Sequence, residues 1–203
     1  MKVPILPLII AVAILGAVIY WVGTAKGPER SHFGAPILTR IGEFEGTETE
    51  VSIAPDGKQY AAIVSGNVWL LNITDGSRKQ ITETEENESF PSWTPDSQRL
   101  TFTRGGDTWT VSAQDPVPVP SVLKTNATSL EWSRSGRTAF VRDRELWLAN
   151  SNGMNETRII AADQDPDITI RSPRFSPDST QISFIKSLQN QKGEVWIVDV
   201  QSG

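Results

Sequence analysis

The sequence contains no cysteine and a single histidine, His32, among its 203 residues. The absence of cysteine excludes disulfides and thiolate metal sites, so packing alone must hold the fold together. The lone histidine precedes all the repeated segments of the chain, which argues against a histidine-centred catalytic or metal site. A net charge of −5, with no cluster of Lys or Arg, argues against nucleic acid as a partner.

Sequence signatures of catalysis are also missing. No Gly-x-Ser-x-Gly nucleophile elbow, Gly-rich phosphate loop, zinc pattern or EF-hand loop occurs. The segment Asp163-Gln164-Asp165-Pro166-Asp167 alternates carboxylates, but it has neither the turn glycine nor the distal glutamate of a Ca²⁺-binding EF-hand. We therefore predict that this chain is not an enzyme and that it holds no cofactor.

The N-terminus is the one long hydrophobic run. Residues Val3 to Val22 carry no charge, and twenty helical residues span about 30 Å, the thickness of the hydrocarbon core of a bilayer. The alternative is a signal peptide cleaved after Gly23-Thr24-Ala25. We favour a membrane anchor over residues 1–25, followed by a stalk over 26–35. Either interpretation places residues 36–203 outside the cytoplasm, in the periplasm or the extracellular space.

Beyond the stalk, one sequence segment occurs in four copies. Its copies align at Ala54, Thr94, Ser133 and Ser176, which are 40, 39 and 43 residues apart. A tryptophan flanked by strand-forming residues follows each copy at a similar distance. Two markers in fixed order, at a period near forty, are typical of a repeat architecture. The markers are Pro55, Asp56, Trp69, Pro95, Asp96, Trp109, Trp147, Pro177, Asp178 and Trp196.

The second copy shows what one repeat builds. A strand over Ser89–Thr94 leads into Thr94-Pro95-Asp96-Ser97, which fits a type I turn. Alternating residues then predict strands at 99–103 and 108–111, and a fourth strand follows at 122–124. Four short strands in about forty residues describe one blade of a propeller. The predicted fold is all-β, a β-propeller of about four four-stranded antiparallel blades, preceded by one transmembrane helix.

These repeats resemble the WD40-like repeats of TolB-type propellers, in Pro91-Ser92-Trp93-Thr94-Pro95-Asp96-Ser97 and Arg174-Phe175-Ser176-Pro177-Asp178-Ser179. Related repeats form the propellers of prolyl oligopeptidase and dipeptidyl peptidase IV-like enzymes. The resemblance covers residues 36–203, and the third copy departs from it with Arg134-Ser135-Gly136. It implies a scaffold that binds a protein or peptide. The alternative is the propeller portion of a larger anchored serine peptidase whose catalytic domain is absent from this sequence.

The ends of the repeat region leave the blade count open. The last copy supplies three strands, while Pro36–Arg40 resembles the fourth strands of other copies. That segment could complete the last blade and close a ring of four. It could also complete a later blade of a longer protein. We favour the incomplete ring.

Acidic residues concentrate in the connections that lead from strand four of one blade to strand one of the next. In an up-and-down blade these connections emerge on one face, so we predict an acidic rim that binds a basic partner or, alternatively, a Ca²⁺ ion through its carboxylate oxygens. The alternative, without a binding function, is that these acidic loops are simply solvated and keep the protein soluble. The rim contains eleven of the 24 acidic residues: Glu43, Glu45, Glu48, Glu50, Glu83, Glu85, Glu86, Glu88, Asp163, Asp165 and Asp167.

Four Asn-x-Ser/Thr triplets are candidate glycosylation sites outside the cytoplasm of a glycosylating organism. Asn, Ser and Thr are also the residues from which turns are made. The triplets begin at Asn72, Asn87, Asn126 and Asn155.

Overall fold

The computed structural model describes residues 44–151, 153–188 and 193–200, which all belong to the compact unit over residues 40–203. The described residues form fifteen strands in four separate antiparallel sheets. They include no helix of the length and apolarity that crossing a bilayer requires. The predicted anchor over residues 1–25, the stalk and the predicted strand at residues 36–40 lie outside the described residues.

Each sheet is an up-and-down meander in which neighbouring strands follow one another along the chain. The first blade contains β1 (Glu48–Ile53), β2 (Gln59–Val64), β3 (Asn67–Asn72) and β4 (Arg78–Gln80). The second contains β5 (Ser89–Trp93), β6 (Arg99–Arg104), β7 (Asp107–Ser112) and β8 (Ser121–Lys124). The third contains β9 (Thr128–Trp132), β10 (Thr138–Arg142), β11 (Glu145–Ala149) and β12 (Thr157–Ile160). The fourth has three described strands, β13 (Ile168–Phe175), β14 (Gln181–Leu188) and β15 (Glu194–Asp199). The predicted all-β propeller of antiparallel blades is confirmed.

The four repeated tryptophans occupy equivalent places in successive blades. Each lies on the third strand and pairs with one residue of the second strand, so both side chains share a face. The pairs are Ala62 with Trp69, Phe102 with Trp109, Phe140 with Trp147, and Phe184 with Trp196. This face of a blade is turned toward the preceding blade, because Phe102 and Trp109 pack into one cluster with Ile63 and Leu70 of the first blade. The period near forty residues therefore measures the step from one blade to the next.

The Pro-Asp turns join the first and second strands and share one backbone conformation. The amide of Ser97 donates to the carbonyl of Thr94 at 2.9 Å, which closes the predicted turn. The fourth turn position has positive φ in every copy: Gly57 at 71°, Ser97 at 60°, Gly136 at 85° and Ser179 at 61°. The third copy, which has Arg134-Ser135-Gly136 in place of Pro-Asp-Gly, therefore still forms the turn, since Gly136 adopts this conformation without steric cost.

Two of the three contacts between consecutive described blades are apolar. The first and second blades bury Ile63 and Leu70 against Leu100, Phe102 and neighbouring residues. The third and fourth blades likewise bury Leu146 against Ile182 and Phe184. Burial of such side chains is worth about 1.5–3 kcal/mol each.

The contact between the second and third blades is different, because threonine hydroxyls line it. The buried Thr108 donates to the carbonyl of Ala127 at 2.7 Å, and Thr103 accepts from the amide of Ser129 at 3.0 Å. The indole of Trp132 donates to Thr101 at 3.2 Å. Directional hydrogen bonds thus replace much of the apolar packing at this contact.

The fourth blade shows apolar side chains where the other blades bury theirs. Val195 is 75% exposed and Ile197 is 64% exposed. Val195 stands one residue before its blade's tryptophan, where Val68 and Leu146 in the first and third blades are 0% exposed. At the other end, Val51 and Ile53 of β1 are exposed on the opposite face of the first blade. The first and fourth blades thus each expose two apolar side chains of a strand.

Candidate functional site

One face of the described blades collects the acidic connections, and we call it the connection face. On this face, the connection from strand four of each blade to strand one of the following blade lies beside the hairpins between strands two and three. The amide of Glu88 donates to the carbonyl of Gly66 at 2.8 Å, and Asn126 donates to the carboxylate of Asp143 at 3.1 Å. Arg144 donates to the carbonyl of Asp165 at 3.1 Å. The meander places these segments together because an even number of strands returns the chain to the same side.

Most acidic residues of the predicted rim are exposed on this face. Glu43 lies outside the described residues. The exposed members are Glu45, Glu48, Glu83, Glu85, Glu86, Asp165 and Asp167, while Glu50 and Asp163 are half-buried. Glu50 is engaged between blades, since its carboxylate accepts from the backbone amide of Phe90. The segment 83–86 forms the densest exposed group of carboxylates.

Glu88 differs from the other rim residues because its side chain is completely buried. Its carboxylate accepts from the hydroxyls of Thr82 at 2.6 Å and Thr84 at 3.0 Å. The guanidinium Nε of Arg104 lies 3.3 Å from it as an ion pair. Glu88 immediately precedes β5, and its side chain is buried beside that strand. It is therefore a structural residue and is not available to a partner.

Two carboxylates of the Asp163–Asp167 segment accept hydrogen bonds from backbone amides of the same segment. Asp163 accepts from the amide of Asp165, and Asp165 accepts from the amide of Asp167, at 3.1 and 3.0 Å. Lys186 also donates to Asp163 at 2.6 Å, and this hydrogen bond lowers the pKa of that carboxyl below its usual value. In the part of the chain that the structure describes, no three acidic or histidine side chains converge as metal ligands would.

The opposite face, which we call the turn face, carries the Pro-Asp turns. Asp96 accepts from the hydroxyl of Thr94 at 2.6 Å, and this bond lowers the pKa of Asp96. The corresponding bond from Ser176 lowers the pKa of Asp178 to about 2. The amide of Asp56 donates to the hydroxyl of Ser97 in the next blade at 3.1 Å. These aspartates therefore stabilise turns.

A polar chain crosses three inner strands, which sequence reasoning did not identify. Glu131 of β9 accepts from Ser92 of β5 at 3.0 Å and from Arg174 of β13 at 2.9 Å. Burial raises the pKa of the Glu131 carboxyl, although Arg174 and Ser92 oppose that shift. The three residues occupy the same position of successive repeats, two before the turn. Alignment of the repeats was the signal that could have found them.

Sequence reasoning also missed two acids of the connection face. Asp107 is the first residue of β7, and Asp143 lies in the hairpin between β10 and β11; both are outside the acidic runs. Asp107 accepts from the amide of Asn126 at 2.7 Å. The two acids occupy different positions of the repeat, since Asp107 lies two residues before Trp109 and Asp143 lies four residues before Trp147, so no repeat signal marked them.

Three of the four candidate glycosylation asparagines fall in turns and connections, and Asn72 is the last residue of β3. Asn87, Asn126 and Asn155 are exposed, and Asn72 is half-buried. The side-chain oxygen of Asn72 accepts from the amide of Thr74 at 2.8 Å, as a turn residue does.

Comparison with known proteins agrees with the geometry of the blades. The chain matches no protein-family model. It is similar to a putative TolB from Agrobacterium tumefaciens, with a TM-score of 0.59 and 18% identity over 73% of this chain. It is also similar to TolB from Acinetobacter baumannii, with a TM-score of 0.65 and 14% identity over 80% of this chain. The fold is that of a TolB-like β-propeller.

A short segment of this TolB-like propeller is also similar to an enzyme. Over 64 residues it is 34% identical to dipeptidyl-peptidase 5 of Porphyromonas gingivalis, which covers 27% of this chain and 9% of that protein. The chain likewise spans 60% and 43% of the two TolB chains. These likenesses establish a shared scaffold, and a scaffold does not specify an activity.

Proposed function

We propose that this TolB-like propeller is a membrane-tethered, extracytoplasmic scaffold that binds a basic protein or peptide through its connection face. The chain itself is not catalytic in this proposal. Its lone histidine precedes the blades, and it has no nucleophile elbow. The observation that carries the proposal is the exposed group Glu83, Glu85 and Glu86 on the connection face, where the Glu86 carboxylate lies beside Gly105 of the hairpin between β6 and β7.

Electrostatics explains why this surface suits a basic partner. Clustered carboxylates of one sign attract a polycation over several ångströms and speed its association. The blades hold the loops in place, because the Glu88 amide donates to Gly66 of the first blade and Glu50 of the first blade accepts from Phe90 of the second. The binding surface is therefore presented by a rigid base.

A charge-matched comparison tests the surface. We would titrate the chain with a lysine-rich peptide at low ionic strength, using calorimetry, and compare two double variants. Glu83→Gln with Glu85→Gln neutralises the connection face, whereas Asp75→Asn with Asp115→Asn makes the same charge change among exposed residues of the turn face. The proposal expects several-fold weaker binding only for the first pair. Equal weakening by both pairs would leave only a net-charge effect and would reject the surface.

The tether requires its own experiment. The uncharged run from Val3 to Val22 supports it. The chain would be expressed with that run intact, and membranes would be washed with alkaline carbonate before the N-terminus is sequenced. Retention with an intact N-terminus supports the anchor. A mature N-terminus near Lys26 would show a cleaved signal instead.

A second candidate is favoured by the similarity to dipeptidyl-peptidase 5. In this case the blades form the propeller of a larger anchored serine peptidase and position its substrate. The discriminating observation is the reading frame around the natural gene. An adjoining α/β-hydrolase domain with Gly-x-Ser-x-Gly supports the peptidase, and its absence from the complete frame supports the scaffold.

A further inference from the structure

Each blade that is followed by another described blade contacts it through the same three positions. They are the residue after the second-strand partner of the tryptophan and the two residues that flank the tryptophan, and we call them the docking set. In the first blade they pack in one cluster with Phe102 of the second blade, and in the third blade they pack with Phe184 of the fourth. In the second blade all three are threonines. The apolar docking sets are Ile63, Val68 and Leu70 in the first blade and Val141, Leu146 and Leu148 in the third.

The fourth blade carries a docking set that none of the described blades covers. Its members are Ile185, Val195 and Ile197, so it is apolar like those of the first and third blades. Val195 is 75% exposed and Ile197 is 64% exposed, while Ile185 is half-buried. The fourth blade therefore presents the surface with which the chain joins blades elsewhere.

The later blade of each contact contributes two residues of its first strand, which lie one and three residues before the turn. In the second blade they are Trp93 and Pro91, and both are buried. The indole of Trp93 donates to the carbonyl of Ser52 in the first blade at 3.0 Å. The equivalent residues of the first blade are Val51 and Ile53, which we call the receiving pair. They are 60% and 62% exposed, so the first blade presents the matching half of a contact between blades.

A cavity of about 540 Å³ opens on the face of the first blade that carries Trp69. Its lining consists of Phe44, Glu45, Val64, Trp69 and Arg78. The equivalent tryptophan of the second blade, Trp109, packs against the cluster that contains Ile63 and Leu70. The docking set of a preceding blade thus occupies this side of the tryptophan wherever two described blades meet. The cavity beside Trp69 is a place where such a set fits.

Charges of opposite sign flank the two surfaces. Arg171 pairs across β13 and β14 with Ile185 of the exposed docking set, and Arg171 is exposed. Glu48 pairs across β1 and β2 with Val64 at the cavity, and Glu48 is exposed as well. Complementary charges at the edge of an apolar contact favour one orientation of the partners.

We propose that the fourth blade of one chain docks on the first blade of a second copy, in the way that consecutive blades dock within the chain. The docking set packs on the receiving pair and on Trp69 of the second copy. Because the two surfaces differ, the contact is heterologous and runs head to tail. The partner is a second copy because the chain itself carries both halves of the contact. The connection face is not involved, so this inference does not rest on the proposed scaffold function.

A mixing experiment tests the head-to-tail contact. Val195→Lys with Ile197→Lys blocks the docking set, and Val51→Lys with Ile53→Lys blocks the receiving pair. Sedimentation velocity of the full chain in a non-ionic detergent would follow association. Each double variant alone should associate at least about tenfold more weakly than the parent, because a lysine charge in an apolar contact is costly to desolvate. A mixture of the two variants should form a one-to-one dimer and nothing larger, since it keeps a single complementary junction.

The control is Val117→Lys with Val119→Lys, which makes the same change at two valines that are 79% and 76% exposed in the connection between β7 and β8. It should associate as the parent does, and all variants should keep the urea midpoint of the parent because the substituted side chains are exposed. All variants also keep residues 1–25, so association through that segment would not change among them. A mixture that stays monomeric, or equal weakening by the control, would overturn the proposal. Undiminished association of Val51→Lys with Ile53→Lys would overturn it as well.

Discussion

The guanidinium of Arg104 lies over the ring of Trp109, with 4.1 Å between the guanidinium carbon and the ring centre. The same arrangement recurs in the third and fourth blades. In each, the cation lies two residues after the second-strand residue that pairs with the tryptophan. Arg142 lies 5.5 Å from the centre of Trp147, and Lys186 lies 5.7 Å from that of Trp196. Each cation also pairs with a carboxylate, from Glu88, Glu156 or Asp163 respectively. A tryptophan, a base and an acid thus form a repeated unit at the edge of these blades.

The buried member of this set should contribute most to stability. Glu88→Gln leaves the Arg104 charge without its partner, at a site where the Arg104 side chain is 14% exposed. We expect a loss of about 3 kcal/mol in the free energy of unfolding, because an unpaired buried charge is costly. Urea denaturation measures it. The double variant Glu88→Gln with Arg104→Met should lose less than Glu88→Gln alone.

Lys186→Met is the matched control, since the Lys186 and Asp163 side chains are 31% and 28% exposed. It should cost less than about 1 kcal/mol, as solvent-screened ion pairs do. Equal losses of unfolding free energy for Glu88→Gln and Lys186→Met would show that burial does not determine how much these ion pairs contribute to stability.

Acid should weaken the contact that Glu156 makes with Arg142 and Lys124. Hydrogen bonds from these two residues lower the pKa of Glu156 from 4.5 to about 2. A depressed pKa in the folded state adds stability above the unfolded value, and that addition is lost as pH falls from about 4.5 to about 2. The difference in urea midpoint between the parent and Glu156→Gln should therefore shrink over this window. Glu85→Gln, at an exposed residue, serves for comparison, and a constant difference for Glu156→Gln would contradict the assignment.

The serines with positive φ in the turns offer a stabilising substitution. Ser179→Gly should raise the free energy of unfolding by about 0.5 kcal/mol, because the relief of left-handed strain exceeds the added freedom of the unfolded chain. Ser97→Gly should gain less, since the Ser97 hydroxyl accepts from the amide of Asp56 in the neighbouring blade. Thermal unfolding of both variants checks the order. Destabilisation by Ser179→Gly would show that its side chain, only 7% exposed, is needed in the turn.

The exposed face of the fourth blade should drive self-association of this chain. Val195→Lys with Ile197→Lys should change the free energy of unfolding by less than about 0.5 kcal/mol per residue, as exposed substitutions do. Sedimentation velocity should show less association than for the parent, because contiguous apolar patches favour contacts between molecules. Val68→Lys, at the equivalent buried position of the first blade, should prevent folding. A parent chain that is monomeric at all concentrations would contradict the prediction.

The fold was predictable because repetition gave the same signal four times. The strand over Ser89–Thr94, the turn at Thr94–Ser97 and the fourth strand at 122–124 agree with the observed β5, turn and β8 to within a residue. The burial of Glu88 was not predictable. It sits in an acidic run, and its partner Arg104 reaches it only through the register of β5 against β6. Composition alone could not separate that carboxylate from its exposed neighbours.

The connection face and the contact between the second and third blades differ in how far they could be predicted. Which connections share a face follows from the number of strands, so the connection face could be predicted. Which threonines of β6 and β7 line the contact with the third blade depends on the cross-strand register, which the sequence does not show. The membrane anchor over residues 1–25 lies outside the described residues and stays a prediction from the sequence.

The threonine-lined contact between the second and third blades gives the molecule an uneven response to cold. Apolar burial loses strength as temperature falls, and this affects the contacts on either side more than the hydroxyl-lined one. Chilling should therefore weaken the contact between the first and second blades and the contact between the third and fourth blades before the contact between the second and third. The hydroxyl-lined contact would then be the last of these three to separate.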